Sequence, residues 1–229
     1  MKYIISILLL VMMGCGFIPG EDLFGDPSDI TSSDLPPASK FSCNDIRDLD
    51  PQVCIDFNYT PDTKLGEDGI FEIVDGRLVG HGPDAGEDES LMTHLILPEF
   101  TGKDLHISLE TTSMQRVDKV LLLRSVDSSN RLQLNFRALT GDGDYGDLIV
   151  QETRDGVFTL LTDPGEIPIG HELGETIKIE VWLINKYLRV RVNDEVVVSR
   201  DFNIAMVTGR MGVGVIDHSL TVFDDLVIY

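Results

Sequence analysis

Residues 175–202 constrain the fold more than any other stretch of the chain. Ile177, Ile179, Val181 and Leu183 alternate with Lys178, Glu180 and Trp182. A period of two marks a strand with one buried face. Leu188, Val190 and Val192 then alternate with Arg189 and Arg191, and Asn185-Lys186 stands between the two runs as a two-residue hairpin loop. That loop length sets a register. On the buried side Leu183 faces Leu188, Val181 faces Val190 and Ile179 faces Val192. On the other side Glu180 meets Arg191 and Trp182 meets Arg189, an opposite-charge pair and a cation–π pair from one alignment. Asn193-Asp194 opens a second turn into Val196-Val197-Val198, whose inward-facing member the pattern leaves unassigned.

The rest of the chain repeats the theme. Strands are expected at 55–59, at 71–80 as a hairpin about Asp75-Gly76, and at 91–97, 105–111, 119–124 and 131–137. A second Asp-Gly hairpin, 148–153 with 157–161, turns at Asp155-Gly156, and strands follow the long hairpin at 209–216 and 220–229. The acidic segment 82–90 reads as a loop. No stretch after residue 55 carries a 3.6-residue repeat. About a dozen short strands with turn signals between them predict an all-β domain over 41–229: a two-sheet antiparallel β-sandwich of jelly-roll type.

Three motifs carry a family resemblance. Phe71-Glu-Ile-Val-Asp-Gly-Arg-Leu resembles the W-x-V-x-D-G-x-L opening of the concanavalin A-like (laminin G-like) jelly rolls, with phenylalanine in place of tryptophan. Ile177-Lys-Ile-Glu-Val with Leu188-Arg-Val-Arg-Val-Asn-Asp-Glu is similar to their paired central strands, with Asn193-Asp194 replacing the usual Asn-Gly. Gly209-Arg-Met-Gly-Val-Gly with Val222-Phe-Asp-Asp-Leu-Val-Ile resembles their closing strands. The resemblance covers roughly residues 55–229 in the family's order. It implies two stacked sheets, one concave, with the terminal strands close together. The family includes lectins, glucanases and 3-keto-disaccharide hydrolases.

The N-terminal part reads as address and tether. Lys2 precedes an uncharged apolar run over 4–13, too short for a transmembrane helix and suited to a signal-peptide core. Met12-Met13-Gly14-Cys15 resembles a bacterial lipoprotein signal. The resemblance implies cleavage of residues 1–14, a lipid on Cys15 (the site of palmitate in such proteins), and attachment to the cell envelope. Gly16 after the cysteine points to the outer membrane in a Gram-negative host. The competing reading is an ordinary secretory signal cut near Gly16. Residues 15–40 mix Pro19, Pro27, Pro36 and Pro37 with acids and few large apolar groups, which predicts a flexible tether. Such a tether reaches roughly 25–30 Å.

Charge and cysteine usage narrow the partners. The formal net charge is −21, which argues against nucleic acid and against an anionic membrane surface as partners of the folded part. Beyond Cys15 the only cysteines are Cys43 and Cys54, and in an exported protein they most simply form a disulfide. A loop that short contributes on the order of 2–3 kcal/mol.

Two constellations carry candidate chemistry. Along 131–137, Leu132, Leu134 and Phe136 face one way, and Gln133, Asn135 and Arg137 the other. With Arg124 at the end of the preceding strand, these planar amides and guanidinium groups suit sugar hydroxyls or carboxylates. Gly212 and Gly214 leave room for close approach. The plainer alternative is a solvated outer face. Trp182 offers either a stacking surface for a sugar or a packing partner for Arg189. The second constellation is Asp142, Asp144 and Asp147 among glycines, which offers hard oxygen ligands to calcium or is simply an acidic turn. No cofactor is required. The E-x-D-x-E pattern of retaining glucanases, two carboxylates flanking one glycosidic bond, does not occur, and the five histidines are scattered. The expected function is a membrane-anchored, extracytoplasmic binding module, with carbohydrate as the candidate ligand. The alternatives are a glycoside-active enzyme of the same fold and an envelope protein without a small ligand.

Overall fold

The computed structural model describes residues 33, 35–37, 43, 53–55, 57, 63–65, 71–82, 92–115, 118–139, 146–216 and 219–229. Among them run fifteen strands and no α-helix. In chain order these are β1 (Val53–Ile55), β2 (Thr63–Leu65), β3 (Phe71–Val74), β4 (Arg77–His81), β5 (Met92–Gly102), β6 (Leu105–Gln115), β7 (Asp118–Asp127) and β8 (Asn130–Arg137). They continue as β9 (Leu148–Arg154), β10 (Val157–Leu160), β11 (Thr176–Ile184), β12 (Tyr187–Val192), β13 (Glu195–Asp201), β14 (Gly209–Ile216) and β15 (Leu220–Ile228). A nine-stranded sheet has the order β13-β12-β11-β6-β15-β4-β3-β2, with β1 also on β15. A six-stranded sheet has the order β10-β9-β8-β7-β14-β5. Neighbours pair antiparallel. The chain is a two-sheet antiparallel jelly roll, and its first and last strands pair.

The core lies between the sheets. Ile107, Leu109, Ile177, Ile179, Val181, Leu188 and Val190 from the larger sheet join one cluster with Leu121, Leu132, Leu134, Phe136, Leu148 and Val150 from the smaller. Facing aliphatics from both inner surfaces are what hold an aligned sandwich together. A second, smaller cluster of Val79, Met114, Leu220 and Val222 sits on the outer face of the larger sheet, beneath Leu35.

The long hairpin has the register its alternation predicts: Leu183 opposite Leu188, Val181 opposite Val190 and Ile179 opposite Val192. On its outer face Arg191 donates to Glu180 at 2.8 Å, and the Arg189 guanidinium lies 5.2 Å from the Trp182 ring centre. Both Asp-Gly turns take positive φ at both residues, as the tight hairpin turn demands. The three valines resolve through a β-bulge. The β12–β13 register shifts between Val190 and Arg191, so Val196 points out while Val198 and Val197 pack on the core.

Strands 5, 6 and 7 extend past the limits read from sequence. The first strand ends at Ile55 instead of running to residue 59, and buried Phe57 follows it. Cys43 and Cys54 form the expected disulfide, with Cα atoms 5.8 Å apart. Gly212 serves packing, not ligand approach: a Cβ there would lie 2.3 Å from the Leu95 carbonyl oxygen, so β5 and β14 meet where only glycine fits.

Candidate functional site

Alternation along β8 sends Leu132, Leu134 and Phe136 into the core. It sends Arg131, Gln133, Asn135 and Arg137 to the outer face of the six-stranded sheet. Cross-strand register then assembles the rest of that face. On β9, Thr153 sits opposite Arg131, Gln151 opposite Gln133 and Ile149 opposite Asn135. On β10, Phe158 pairs with Thr153 and Leu160 with Gln151. On the other side β7 places Ser125, Leu122 and Val120 beside Arg131, Gln133 and Asn135. Beyond β7, β14 brings Arg210 next to Ser125, and β5 brings His94 next to Gly214.

This face combines burial with unmet polarity. Gln133 and Asn135 are buried although they point away from the core. Five buried polar atoms here find no hydrogen-bond partner: His94 Nδ1, Arg131 Nε, Gln133 Oε1, Asn135 Oδ1 and Thr153 Oγ1. Each such group costs about 1–3 kcal/mol when left unmade; others lie elsewhere, among them Arg77 Nε, His106 Nε2, Gln115 Oε1 and Thr221 Oγ1, but here they stand beside an exposed apolar rim. At the rim Phe158 and Leu160 are 54% and 41% exposed, an apolar platform beside the amides. Burial, and then the charges of Arg131 and Arg210, hold His94 below its ordinary pKa, so it is neutral at pH 7.

The other residues singled out from sequence fall elsewhere. Arg124 does not face this surface. The β7–β8 register shifts between Leu122 and Arg124, which turns Arg124 inward opposite Leu132. There, fully buried, it donates to the carbonyls of Met206 (2.6 Å), Asn185 (2.9 Å) and Lys103. Trp182 lies on the outer face of the other sheet. His106 stacks on it at 4.6 Å from β6, and Arg189 covers it from β12, so its ring is engaged on both flanks. Arg137 stands on the polar face but is clamped at its end. Its Nε and a terminal nitrogen each reach an oxygen of Asp147 at 2.6 Å.

That clamp also bears on the calcium reading. Asp147 accepts from Arg137 and from the Gly165 amide, which commits the carboxylate within the protein. Asp142 and Asp144 lie outside the described residues, as does Cys15. Among the described residues no cluster of three or more His, Cys, Asp or Glu is arranged to hold a metal ion.

A second feature lies at one end of the sandwich. A polar cavity of about 180 Å³ is lined by Pro168, Gly170, His171, Glu175, Asn193 and Glu195, among others. Buried Lys119 donates to Ser113 Oγ at 2.9 Å and meets His171 Nε2 at 2.6 Å. Burial and the Lys119 charge push the His171 pKa down to about 3, which keeps the ring neutral and able to accept the ammonium.

Sequence reading found Gln133 and Asn135. It missed His94, Arg131, Gln151, Thr153, Phe158 and Arg210. For Thr153 and Phe158 half of the signal was present: the Asp155-Gly156 turn fixes their pairing, while the β8–β9 register puts both on the Gln133 side. His94 and Arg210 arrive through pairings between strands far apart in sequence, for which no local signal exists.

No protein-family model matches the sequence, and no curated protein matches it. Solved structures do. A carbohydrate-binding module from Bacillus subtilis superposes with a TM-score of 0.53 at 12% identity, over 65% of this chain and 84% of that one. A Bacillus subtilis protein of unknown function with a galectin-like fold gives 0.51 at 11% identity, over 78% of this chain and 96% of that one. At such identities the likeness is one of fold: a jelly roll of the kind found in carbohydrate-binding modules and galectin-like proteins.

Proposed function

We propose that the outer face of the six-stranded sheet binds carbohydrate, and that the chain is an exported lipoprotein which Cys15 tethers to the cell envelope. The observation that carries the binding reading is the set of five unpaired buried polar atoms on one face. These atoms are covered, so binding requires the side chains of this face to rotate; a sugar ring, whose hydroxyls both donate and accept, then satisfies amide, guanidinium and hydroxyl groups together. Phe158 beside Thr153 supplies an apolar surface for a ring face. Amides, a hydroxyl and an imidazole provide this recognition without a metal. The fold shared with a carbohydrate-binding module agrees with the reading.

The test is a glycan array with the mature chain and an Asn135→Leu variant. Leucine removes an unmatched buried oxygen, so thermal stability holds or rises. Glycan binding falls at least tenfold, about 1.4 kcal/mol. Equal binding by the two proteins, or no glycan above background for the natural chain, ends the reading. The tether is checked separately by metabolic labelling. Label from palmitate enters the natural chain and not Cys15→Ser, whereas equal labelling of both removes the anchor.

A further inference from the structure

Among the described arginines, Arg189 lies over the Trp182 ring, Arg154 stands exposed at the end of β9 without an ion pair among the described residues, and the others divide into two groups. Arg77 pairs with Asp75, Arg137 with Asp147, Arg191 with Glu180 and Asp194, and Arg200 with Glu166. Arg124 donates from its terminal nitrogens to backbone carbonyls, while its buried Nε has no acceptor. Arg131 and Arg210 have no acidic partner among the described residues. In a chain with 39 acids and 18 bases, these two flank Ser125 on one face of the six-stranded sheet. The strand positions next to Arg131 are Ser125 and Thr153, and next to Arg210 they are Ser125 and Thr101.

Arg131 is the costlier of the two. It is half-buried, and its Nε hydrogen has no acceptor. Burial lowers the affinity of its guanidinium for the proton, and no acid among the described residues counters that. Neutral sugar hydroxyls can accept its hydrogen bond but leave its charge uncompensated. A planar anion does both. The terminal nitrogens of the two arginines offer the donors that a carboxylate or an oxyanion accepts from. His94, kept neutral close to both arginines, adds an imidazole hydrogen bond and no opposing charge.

We infer that the glycan bound here is acidic, and that Arg131 together with Arg210 receives its carboxylate or sulfate group. This rests on the carbohydrate reading of the same face and specifies its ligand class. Anionic sugars of both kinds share one chemistry, an exposed delocalised oxyanion on a ring. Arg210 is exposed and reaches the anion first, while Arg131 lies deeper and fixes its orientation.

The experiment is calorimetric titration of the mature chain with three oligosaccharides of equal length: an oligogalacturonate, a sulfated galactan and a neutral galactan. At least one charged ligand binds tenfold or more tightly than the neutral one, and which of them does so separates carboxylate from sulfate. Arg131→Gln abolishes that preference without lowering the melting temperature, because no acid among the described residues loses its partner. Arg210→Gln, at an exposed position, weakens the charged ligand alone and serves if Arg131→Gln fails to fold. Neutral galactan binding as tightly as either charged ligand overturns the inference and leaves the face a glycan site. A charge preference that survives both substitutions overturns it too. A natural chain that binds nothing on a broad array removes the underlying reading, and this inference with it.

Discussion

Arg124→Met is expected to destabilise the fold by about 4 kcal/mol or more, the upper end of what single substitutions do. Methionine is long and flexible enough to fill much of the space, so the loss reports lost hydrogen bonds more than lost volume. The physical reason is where the three accepting carbonyls come from. Lys103 belongs to the β5–β6 turn, Asn185 to the β11–β12 turn, and Met206 to the segment between β13 and β14. One buried guanidinium therefore joins three connections that close the same end of the sandwich. Glu152 completes the arrangement by accepting the amides of Ala205 and Met206 at 3.0 and 2.8 Å. Without Arg124, three carbonyls lose their donor and Glu152 loses a nearby positive charge. Arg124→Lys keeps the charge but not the fork, and falls between the two. Urea unfolding at unchanged m-value measures all three proteins. A methionine variant within 1 kcal/mol of the natural chain would show that the end of the sandwich closes without the clamp.

Arg124 also marks the limit of what local sequence can reveal. The hairpin over 175–202 was legible because alternation and loop length together leave one register, and its outward pairs agree with that register. The Asp-Gly turns were legible because they name their own backbone geometry. The outward side of β8 was legible because Leu132, Leu134 and Phe136 alternate cleanly with polar residues. In Lys119-Val-Leu-Leu-Leu-Arg124 nothing alternates, and the bulge that turns Arg124 inward has no signature in that run. Assignment of strands to sheets is less legible still. β6 lies between β11 and β15, and β14 between β7 and β5. Those neighbours are set by long-range packing, which placed Trp182 on the opposite side of the molecule from Gln133. The binding face is half-readable for the same reason: its β8–β10 side comes from consecutive hairpins, its β14 and β5 side from crossovers.

The second large effect is at the Arg137–Asp147 pair. Asp147 is almost fully buried, so Arg137→Leu leaves its carboxylate without a counter-charge and is expected to cost about 3–5 kcal/mol. Its pKa points the same way. Burial alone would raise it, but the hydrogen bonds from Arg137 and Gly165 and the Arg137 charge overcome burial and hold it below the ordinary 3.8. A depressed carboxyl stabilises the fold above its unfolded pKa, and that stability is lost as pH falls through the folded value. This loss therefore begins below about pH 4. His171 acts in a different window. Its folded pKa is about 3 against an ordinary 6.5, so below pH 6.5 the unfolded chain takes a proton that the folded chain refuses. Stability then falls by about 1.4 kcal/mol per pH unit, or about 2–3 kcal/mol between pH 6.5 and 4.5. The two groups can thus be separated by urea unfolding across pH. His171→Leu should flatten the profile between pH 6.5 and 4.5, although Lys119 loses an acceptor and the starting stability is lower. Arg137→Leu should keep that upper slope and start several kcal/mol down. Parallel profiles for all three proteins over that range would mean that the buried imidazole does not control the loss, and that the acid sensitivity arises in other groups.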